Sequence, residues 1–561
     1  MTTSSAPNLA ARHRAGQARP AMSRLAWAIP GVLALALGLF DIGVPMLWRD
    51  ELATWSAATR TPSQLWAMLH NTDAVLGPYY FCMHLWMAVF GQSASAMRLP
   101  SAFAMTLAAV VVALTGRRLG GPAVGLLGGV LFAVVPSVSR FAQEARPYAF
   151  ATLFAALATL LLLRAVDRPN WLRWALYAIA LAAAGAANVV ALCVLAGHAA
   201  IILVDFCIRT VRVGGDDGTE GRALPGGRPE PVEGQPLALV GWFCIAAAVG
   251  ILLDLPILIV GQSQSANQIG QQTTPHFVDL VGLSGGIWPS LFASTPVAFM
   301  IILLALASVV WAADARRRVV AAGILACAVL PIVAVWIVSL GPDSYWTFRY
   351  MLFTVPAWAL SAGLGVATIA ERVPRLRRKW LRTARRPGFA LVAAALVVVT
   401  AGVGLHDQVK IRQYEAHNLW AFPVVMSNGQ PVDYPAAAGV IAAHARPGDG
   451  IIYQSTDENH YEVNAGIAYY MRGKTLPTPV FQAETPVQAN NLQAVQCADP
   501  STCLTGTPRI WVVYVNHLAS NPDDPFTGMP ANQAAYLEIL GYQPQLLWRA
   551  NGITVALLTV N

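Results

Sequence analysis

From residue 25 to residue 405 long apolar runs alternate with short polar loops; beyond residue 406 the pattern changes to short β-rich runs separated by helical ones. Runs near the ~20 residues that a helix needs to cross hydrocarbon predict eleven spans. They cover about 25–47, 98–115, 122–138, 147–164, two within 172–208 split around Gly185-Ala-Ala-Asn188, then 236–260, 292–313, 319–340, 349–370 and 388–405. The run Leu76–Phe90 has a shorter apolar core, carries His84 and has an aromatic flank. It is expected to lie along the membrane surface rather than cross it.

Charge orients these spans. Arg12, Arg14, Arg19 and Arg24 precede the first, and later arginines cluster at Arg117-Arg118, Arg164 and Arg168, at Arg209, Arg212, Arg222 and Arg228, at Arg316-Arg317-Arg318, and in the loop 371–387 with eight Lys and Arg. If 76–90 does not cross, every cluster falls on one face, as the positive-inside rule requires. The expected organisation is a disordered cytoplasmic tail 1–23, a transmembrane domain 24–405 and an extracytoplasmic α/β domain 406–561. Within the transmembrane part, 48–97 forms an outer loop with interfacial helices and 209–235 a flexible cytoplasmic loop rich in Gly and Pro. In the last domain, strands are expected at 450–454, 509–515 and 554–560, with helices at 435–446, 458–471 and 530–540.

Composition agrees: of 561 residues, 56% are hydrophobic and 12% charged, against roughly a quarter charged in soluble domains. The net charge of +8 is accounted for by the basic loops, so membrane lipid rather than nucleic acid is the expected partner. Seven cysteines make no disulfide framework, but Cys497 and Cys503 lie in the outer region, where an oxidising compartment favours pairing. The sequence offers no ligand cluster for a metal.

The topology brings charged loops to one outer face. Asp50 and Glu51 follow the first span within Trp48-Arg-Asp-Glu-Leu-Ala-Thr54; Tyr79, Tyr80 and His84 lie on the interfacial helix; Arg140, Gln143, Glu144, Arg146 and Tyr148 follow the third span; Asp343, Arg349 and Tyr350 precede the tenth. Arginines at one membrane depth suit a lipid phosphate, and a carboxylate beside them suits proton abstraction from a hydroxyl. Each residue also has a plainer reading. Arg146 and Arg349 would serve as span anchors, the tyrosines as belt residues, and His84 as a structural histidine. Asp41 and Asp254 are carboxylates within spans.

Taken in order, Trp48-Arg-Asp-Glu-Leu-Ala-Thr-Trp55, Gly77-Pro-Tyr-Tyr80 with Leu85-Trp86, Met97-Arg-Leu-Pro100, Arg140-Phe-Ala-Gln-Glu-Ala-Arg-Pro-Tyr148 and, more weakly, Phe348-Arg-Tyr-Met-Leu-Phe-Thr-Val-Pro356 resemble polytopic glycosyltransferases of the glycosyltransferase-C fold. These include protein O-mannosyltransferases, aminoarabinose transferases and bacterial membrane mannosyltransferases. The resemblance covers about 25–370. It implies transfer of a sugar, mannose first and arabinofuranose as the alternative, from a polyprenyl-phosphate carrier to a glycan, glycolipid or protein acceptor at the outer face of the cytoplasmic membrane, with inversion. It makes Asp50 the base with Glu51 beside it, assigns Glu144, Arg146, Tyr148, Arg349 and Tyr350 to the donor and its phosphate, and leaves Tyr79, Tyr80, His84 and Gln143 as substrate contacts. No cofactor is implied beyond the donor; a divalent metal bridging Asp50 and phosphate stays open. In place of the family's His-Pro-Pro stands Leu76-Gly77-Pro78. A transporter for a lipid-linked sugar would instead place its charges near the midplane.

Overall fold

The computed structural model describes residues 26–215, 235–269, 273–282, 286–372, 387–416, 432–454, 461–504 and 506–560. The 1–23 tail and most of the loops 209–235 and 371–387 lie outside the described residues. Apolar helices dominate up to Val403. Six described ones are long and apolar enough to cross a membrane: Ala94–Gly120, Tyr148–Asp167, Val189–Ile208, Leu237–Ala266, Ala315–Val338 and Phe348–Arg372. The pair Pro122–Val134 and Pro136–Ala142, bent by 65°, makes a seventh if taken as one span. The other predicted spans are apolar helices too, but shorter: Ala28–Leu39, Trp171–Ala187, Thr295–Val310 and Gly388–Val403. Among the described residues, helix length alone accounts for six or seven of the eleven expected crossings. Within the bundle, a Cβ at Gly363 would sit 2.5 Å from Gly128 N. Only glycine lets these two backbones approach so closely, as is common between membrane helices.

The run 25–47 departs most from expectation. Its helix stops at Leu39; Asp41 takes left-handed backbone at φ 59°, and Gly43 and Pro45 follow. The carbonyls left bare by that ending need partners in an apolar setting, and three distant segments supply them. Arg412 Nη2 donates to Leu37 O at 2.7 Å. Gln143 Nε2 donates to Gly38 O at 3.1 Å and Phe40 O at 2.6 Å. Arg98 Nη1 donates to Ile42 O at 2.9 Å and Pro45 O at 2.7 Å.

Short elements between the apolar helices carry the polar chemistry. Arg49–Ala58 is followed by Pro62–Leu69, which starts on a Thr61/Gln64 capping box with Pro62 in the first turn. Gly77–Phe90 comes next. Val135 is extended ahead of Pro136, as residues before proline must be. The short helix that follows ends in a loop, 143–147, before Tyr148 starts the next helix. A 3-10 turn, Phe348–Thr354, leads into Val355–Arg372.

The C-terminal stretch folds into a five-stranded sheet of order β2-β1-β5-β7-β6. Its strands are β1 (Gly450–Tyr453), β2 (Thr478–Pro479), β5 (Arg509–Val515), β6 (Gln543–Ala550) and β7 (Ile553–Thr559). A separate pair is made by β3 (Gln482–Glu484) and β4 (Val495–Gln496). β2, β1 and β5 run parallel; β7 and β6 are antiparallel. The helices Tyr434–His444, Val463–Tyr470 and Ala531–Ile539 flank the sheet strands in sequence. Cys497 and Cys503 are joined by a disulfide, Cα to Cα 6.5 Å. This region shares a core with the segment 47–97: Leu52, Tyr80 and Met97 belong to the same buried cluster as Tyr434, Trp511 and Val555. Polar bonds tie the same contact, from Leu47 N to Tyr470 Oη at 2.9 Å and from Tyr469 Oη to Gln92 O at 3.1 Å.

Candidate active site

Asp50 sits in the first turn of the Arg49–Ala58 helix, where exposed N–H groups favour a negative charge. Three arginines from three segments meet it. Arg349 Nη1 lies 3.3 Å and Arg146 Nε 3.8 Å from Asp50 Oδ2, and Arg49 Nε lies 3.4 Å from Oδ1. Arg146 Nη1 also donates to Asp50 O and to Tyr80 Oη, each at 3.4 Å. Tyr80 Oη in turn donates to Asp73 Oδ2 at 2.6 Å. Burial pushes the Asp50 carboxyl up, but Arg349, Arg146 and Arg49 together outweigh it and hold the group below its ordinary range. Oδ2 accepts no hydrogen bond among the described residues. Trp48 braces the arrangement: the guanidinium carbons of Arg349 and Arg140 lie 5.7 and 5.9 Å from its ring centre.

Glu51 points elsewhere. It is fully buried and clasps Arg98 with both oxygens, Nε–Oε1 at 2.8 Å and Nη2–Oε2 at 2.7 Å. Oε1 also accepts Ala145 N at 2.9 Å. The adjacent carboxylates thus separate: one faces the arginine cluster, and the other pins the 143–147 loop to the start of Ala94–Gly120. Glu144, expected at the donor phosphate, pairs with Arg140 instead, and burial, opposed by Arg140, raises its carboxyl above the ordinary range. Gln143, expected as a substrate contact, is spent on the Ala28–Leu39 helix end. His84 Nδ1 bonds Ala58 O at 3.0 Å, the role of a structural histidine. The Tyr79 hydroxyl is buried without a hydrogen bond among the described residues, its ring 6.1 Å from that of Phe150. Tyr148 and Tyr350 stack obliquely at 6.1 Å, with Tyr350 O held by Asn188 Nδ2 at 3.0 Å. Asp343 is taken by Gln262 and Ser265, at 2.7 and 2.8 Å. Asp254 is buried against Gly185, where a Cβ would lie 1.9 Å from its Oδ2. No group of three or more side chains suited to a metal occurs among the described residues.

Sequence reasoning missed Arg98, the partner of Glu51, although Met97-Arg98-Leu-Pro100 carries the signal: an arginine opening an apolar helix must be paired. It also missed Trp48 as a ring beneath two arginines, and Tyr461, over whose ring Arg49 lies at 5.7 Å.

Residues 77–212 match the family described as dolichyl-phosphate-mannose-protein mannosyltransferase. That segment holds Tyr79, Tyr80, Arg98 and the Arg140–Tyr148 loop but neither Asp50 nor Arg349. No curated protein matches in sequence. Among solved structures, ArnT from Cupriavidus metallidurans in the apo state aligns with a TM-score of 0.53 at 13% identity, over 94% of this chain and 97% of that one. The same protein bound to undecaprenyl phosphate aligns at 0.50 and 14%, over 95% and 98%. Over nearly its whole length the chain shares the fold of that membrane protein, and residues 77–212 are similar to the mannosyltransferase family.

Proposed function

We propose that the chain transfers mannose from a polyprenyl-phosphate carrier to an acceptor hydroxyl, with Asp50 as the base, at the outer face of the cytoplasmic membrane. The observation that carries this reading is the convergence of Arg146 and Arg349 on one oxygen of Asp50. The relative that binds undecaprenyl phosphate supports the carrier class, and the matched family supports mannose. The one-sided basic loops support an outer site, with the C-terminal sheet on that side.

The chemistry is an in-line displacement. The acceptor oxygen attacks the anomeric carbon, the bond from that carbon to the phosphate oxygen breaks, the hydroxyl proton passes to Asp50, and the carrier phosphate leaves with the electron pair. Inversion follows from the single displacement. With the site empty, the arginines lower the basicity of Asp50. A phosphate arriving between Arg146 and Arg349 draws their charge toward itself and returns basicity to Asp50 when the acceptor is due. Glu51 and Arg98 position the 143–147 loop and touch no reacting atom.

Asp50→Asn keeps the shape and removes the base. General-base removal costs about 10²–10⁴-fold, so the purified variant is expected to bind donor normally and transfer sugar at least about a hundredfold more slowly. Turnover near the wild-type rate would sink the assignment.

A further inference from the structure

The hydroxyl of Tyr80 joins Arg146 to a carboxylate that the transfer chemistry does not use. Tyr80 is fully buried near the start of the Gly77–Phe90 helix. Its Oη donates to Asp73 Oδ2 at 2.6 Å and accepts Arg146 Nη1 at 3.4 Å. Chemistry fixes the direction of that chain. A guanidinium has donors only, and a phenol has one proton to give. With its proton on Asp73, the Tyr80 oxygen turns a lone pair toward Arg146. Burial and the Asp73 carboxylate both keep the phenol protonated, well above its ordinary value.

Asp73 is held in an unusual way to make this contact. Its backbone is left-handed, φ 57° and ψ 28°, a region uncommon for residues other than glycine. Such strain persists where the surroundings enforce it, and Gln264 enforces it from the helix Gln235–Ile269. Its Oε1 accepts Ala74 N at 2.9 Å, and its Nε2 donates to Leu69 O at 3.0 Å, so one side chain grips both sides of the turn. An aspartate heading a helical turn ordinarily caps it. The Asp73 side chain makes no cap bond to the 3-10 turn Ala74–Leu76; it goes to Tyr80 instead.

The chain of bonds ends on Arg146, which is 9% exposed. Arg146 Nε is buried without a hydrogen-bond partner among the described residues, 3.8 Å from Asp50 Oδ2. Buried donors are rarely left so. Held at Nη1 by Tyr80, Arg146 keeps this N–H turned toward the oxygen of Asp50 beside which an anion would arrive.

We propose that Asp73 is a positioning residue: through Tyr80 it holds Arg146 so that the Nε–H faces the carrier phosphate, a role that rests on the transfer reading above. Asp73 touches no reacting atom. The phosphate gains negative charge as it leaves the sugar, so the contact matters most in the transition state and the product complex, and least for the bound donor.

The test uses the full chain in lipid nanodiscs. It measures equilibrium binding of polyprenyl phosphate, which needs no acceptor, and kcat and donor KM for polyprenyl-phosphate mannose with α-linked mannotriose or a Ser/Thr-rich peptide as acceptor. Asp73→Asn keeps an acceptor oxygen and a residue type that tolerates left-handed backbone, so its melt should match wild type. Its polyprenyl-phosphate affinity and kcat should each fall about fivefold, and those of Tyr80→Phe about tenfold or more, on the scale of one hydrogen bond to a charged group. Donor KM should change by less than about twofold, as when an interaction is made chiefly in the transition state. Replacing Asp73 in a Tyr80→Phe or Arg146→Lys chain should cost nothing further, because its effect passes through both. A residue that merely steadied the fold would lower the melt and add its loss in every background. The positioning role is overturned if Asp73→Asn binds polyprenyl phosphate as wild type does, or if its loss persists undiminished in Tyr80→Phe. Asp73- and Tyr80-dependent binding of polyprenyl phosphate by a chain that transfers no mannose would sink the transfer reading and leave the positioning role standing. Transfer at the wild-type rate by Asp73→Asn and Tyr80→Phe would do the reverse.

Discussion

Replacing Glu51 by Gln tests how the site is held together. Glu51 makes three bonds with two oxygens: Oε1 takes Arg98 Nε at 2.8 Å and Ala145 N at 2.9 Å, and Oε2 takes Arg98 Nη2 at 2.7 Å. Glutamine has one acceptor oxygen. Placed at Oε1 it keeps two bonds and turns an amide donor against Arg98 Nη2; flipped, it keeps one and faces two donors. In either case the guanidinium, fully buried, loses its counter-charge. Breaking such a pair from one side costs about 3–5 kcal/mol, a large share of the roughly 5–15 kcal/mol that holds a domain folded. Glu51→Gln is therefore expected to lower unfolding stability by that amount, measured by denaturant or thermal melts in detergent, while the folded fraction retains donor binding. Arg98→Met should cost at least as much, because Arg98 also caps carbonyls of Ile42, Pro45 and Met46. The double variant should fall short of the sum by about 1–3 kcal/mol, since contacting residues couple. If Glu51→Gln melts within about 0.5 kcal/mol of wild type, the level of a neutral surface change, the pair is not what positions the 143–147 loop.

Other expectations follow from single contacts. Arg349→Lys keeps the charge but loses the planar fork that suits phosphate, so donor affinity should fall while the melt is unchanged; unaltered affinity in Arg349→Ala would leave Arg349 only an anchor. Removing the Cys497–Cys503 bridge with a double Ser variant should cost about 2 kcal/mol, because the closed loop is short, and a melt unchanged by reductant would contradict this. Burial lifts the Glu462 carboxyl to about 8, with Asp73 and Asp50 adding to the shift and Arg49 and the Gln493 bond opposing it. A carboxyl raised on folding stabilises fully below its unfolded value and loses that contribution as pH climbs through the folded one. Wild type should therefore lose stability between pH ~4.5 and ~8, by at most about 5 kcal/mol at 1.36 kcal/mol per unit. Glu462→Gln should flatten that slope; identical slopes would refute it.

The helices were legible because apolar length and positive charge are properties of the chain alone. Break points were legible where proline or a polar cluster marks them, as at Asn188, whose side chain accepts Val190 N. The end of the first helix was not, since it depends on Arg98, Gln143 and Arg412 reaching carbonyls from afar. β6 escaped notice because its side chains are mostly exposed and not alternating, although Asn551-Gly552 ahead of β7, with Gly552 at φ 72°, is a hairpin signal. At the site, the sequence singled out Asp50, Arg146 and Arg349, which the structure brings together. It could not tell that Glu51, Glu144 and Gln143, in the same two motifs, are spent on Arg98, Arg140 and a helix end. Adjacent letters in a motif point different ways on a helix, and only the fold decides which faces the arginine cluster.

That division of labour sets the charge of the site. Arg98 is cancelled by Glu51 and Arg140 by Glu144, and both pairs are buried. Among the described residues, Arg49, Arg146 and Arg349 gather on Asp50. Guanidinium groups gathered at one place suit an anion, and their pull on it grows as the local dielectric falls. The two arginines on Oδ2 come from the Arg140–Tyr148 loop and the 3-10 turn at Arg349, in contact with the transmembrane bundle; the third leans on Tyr461 from the C-terminal region. On the proposed transfer, a carrier phosphate rising from the membrane would meet the first two, while Arg49 stays with the C-terminal region through Tyr461. Asp50 stands between the two groups. On the proposed transfer, a base between the donor phosphate and the acceptor would occupy the place that Asp50 holds among these arginines.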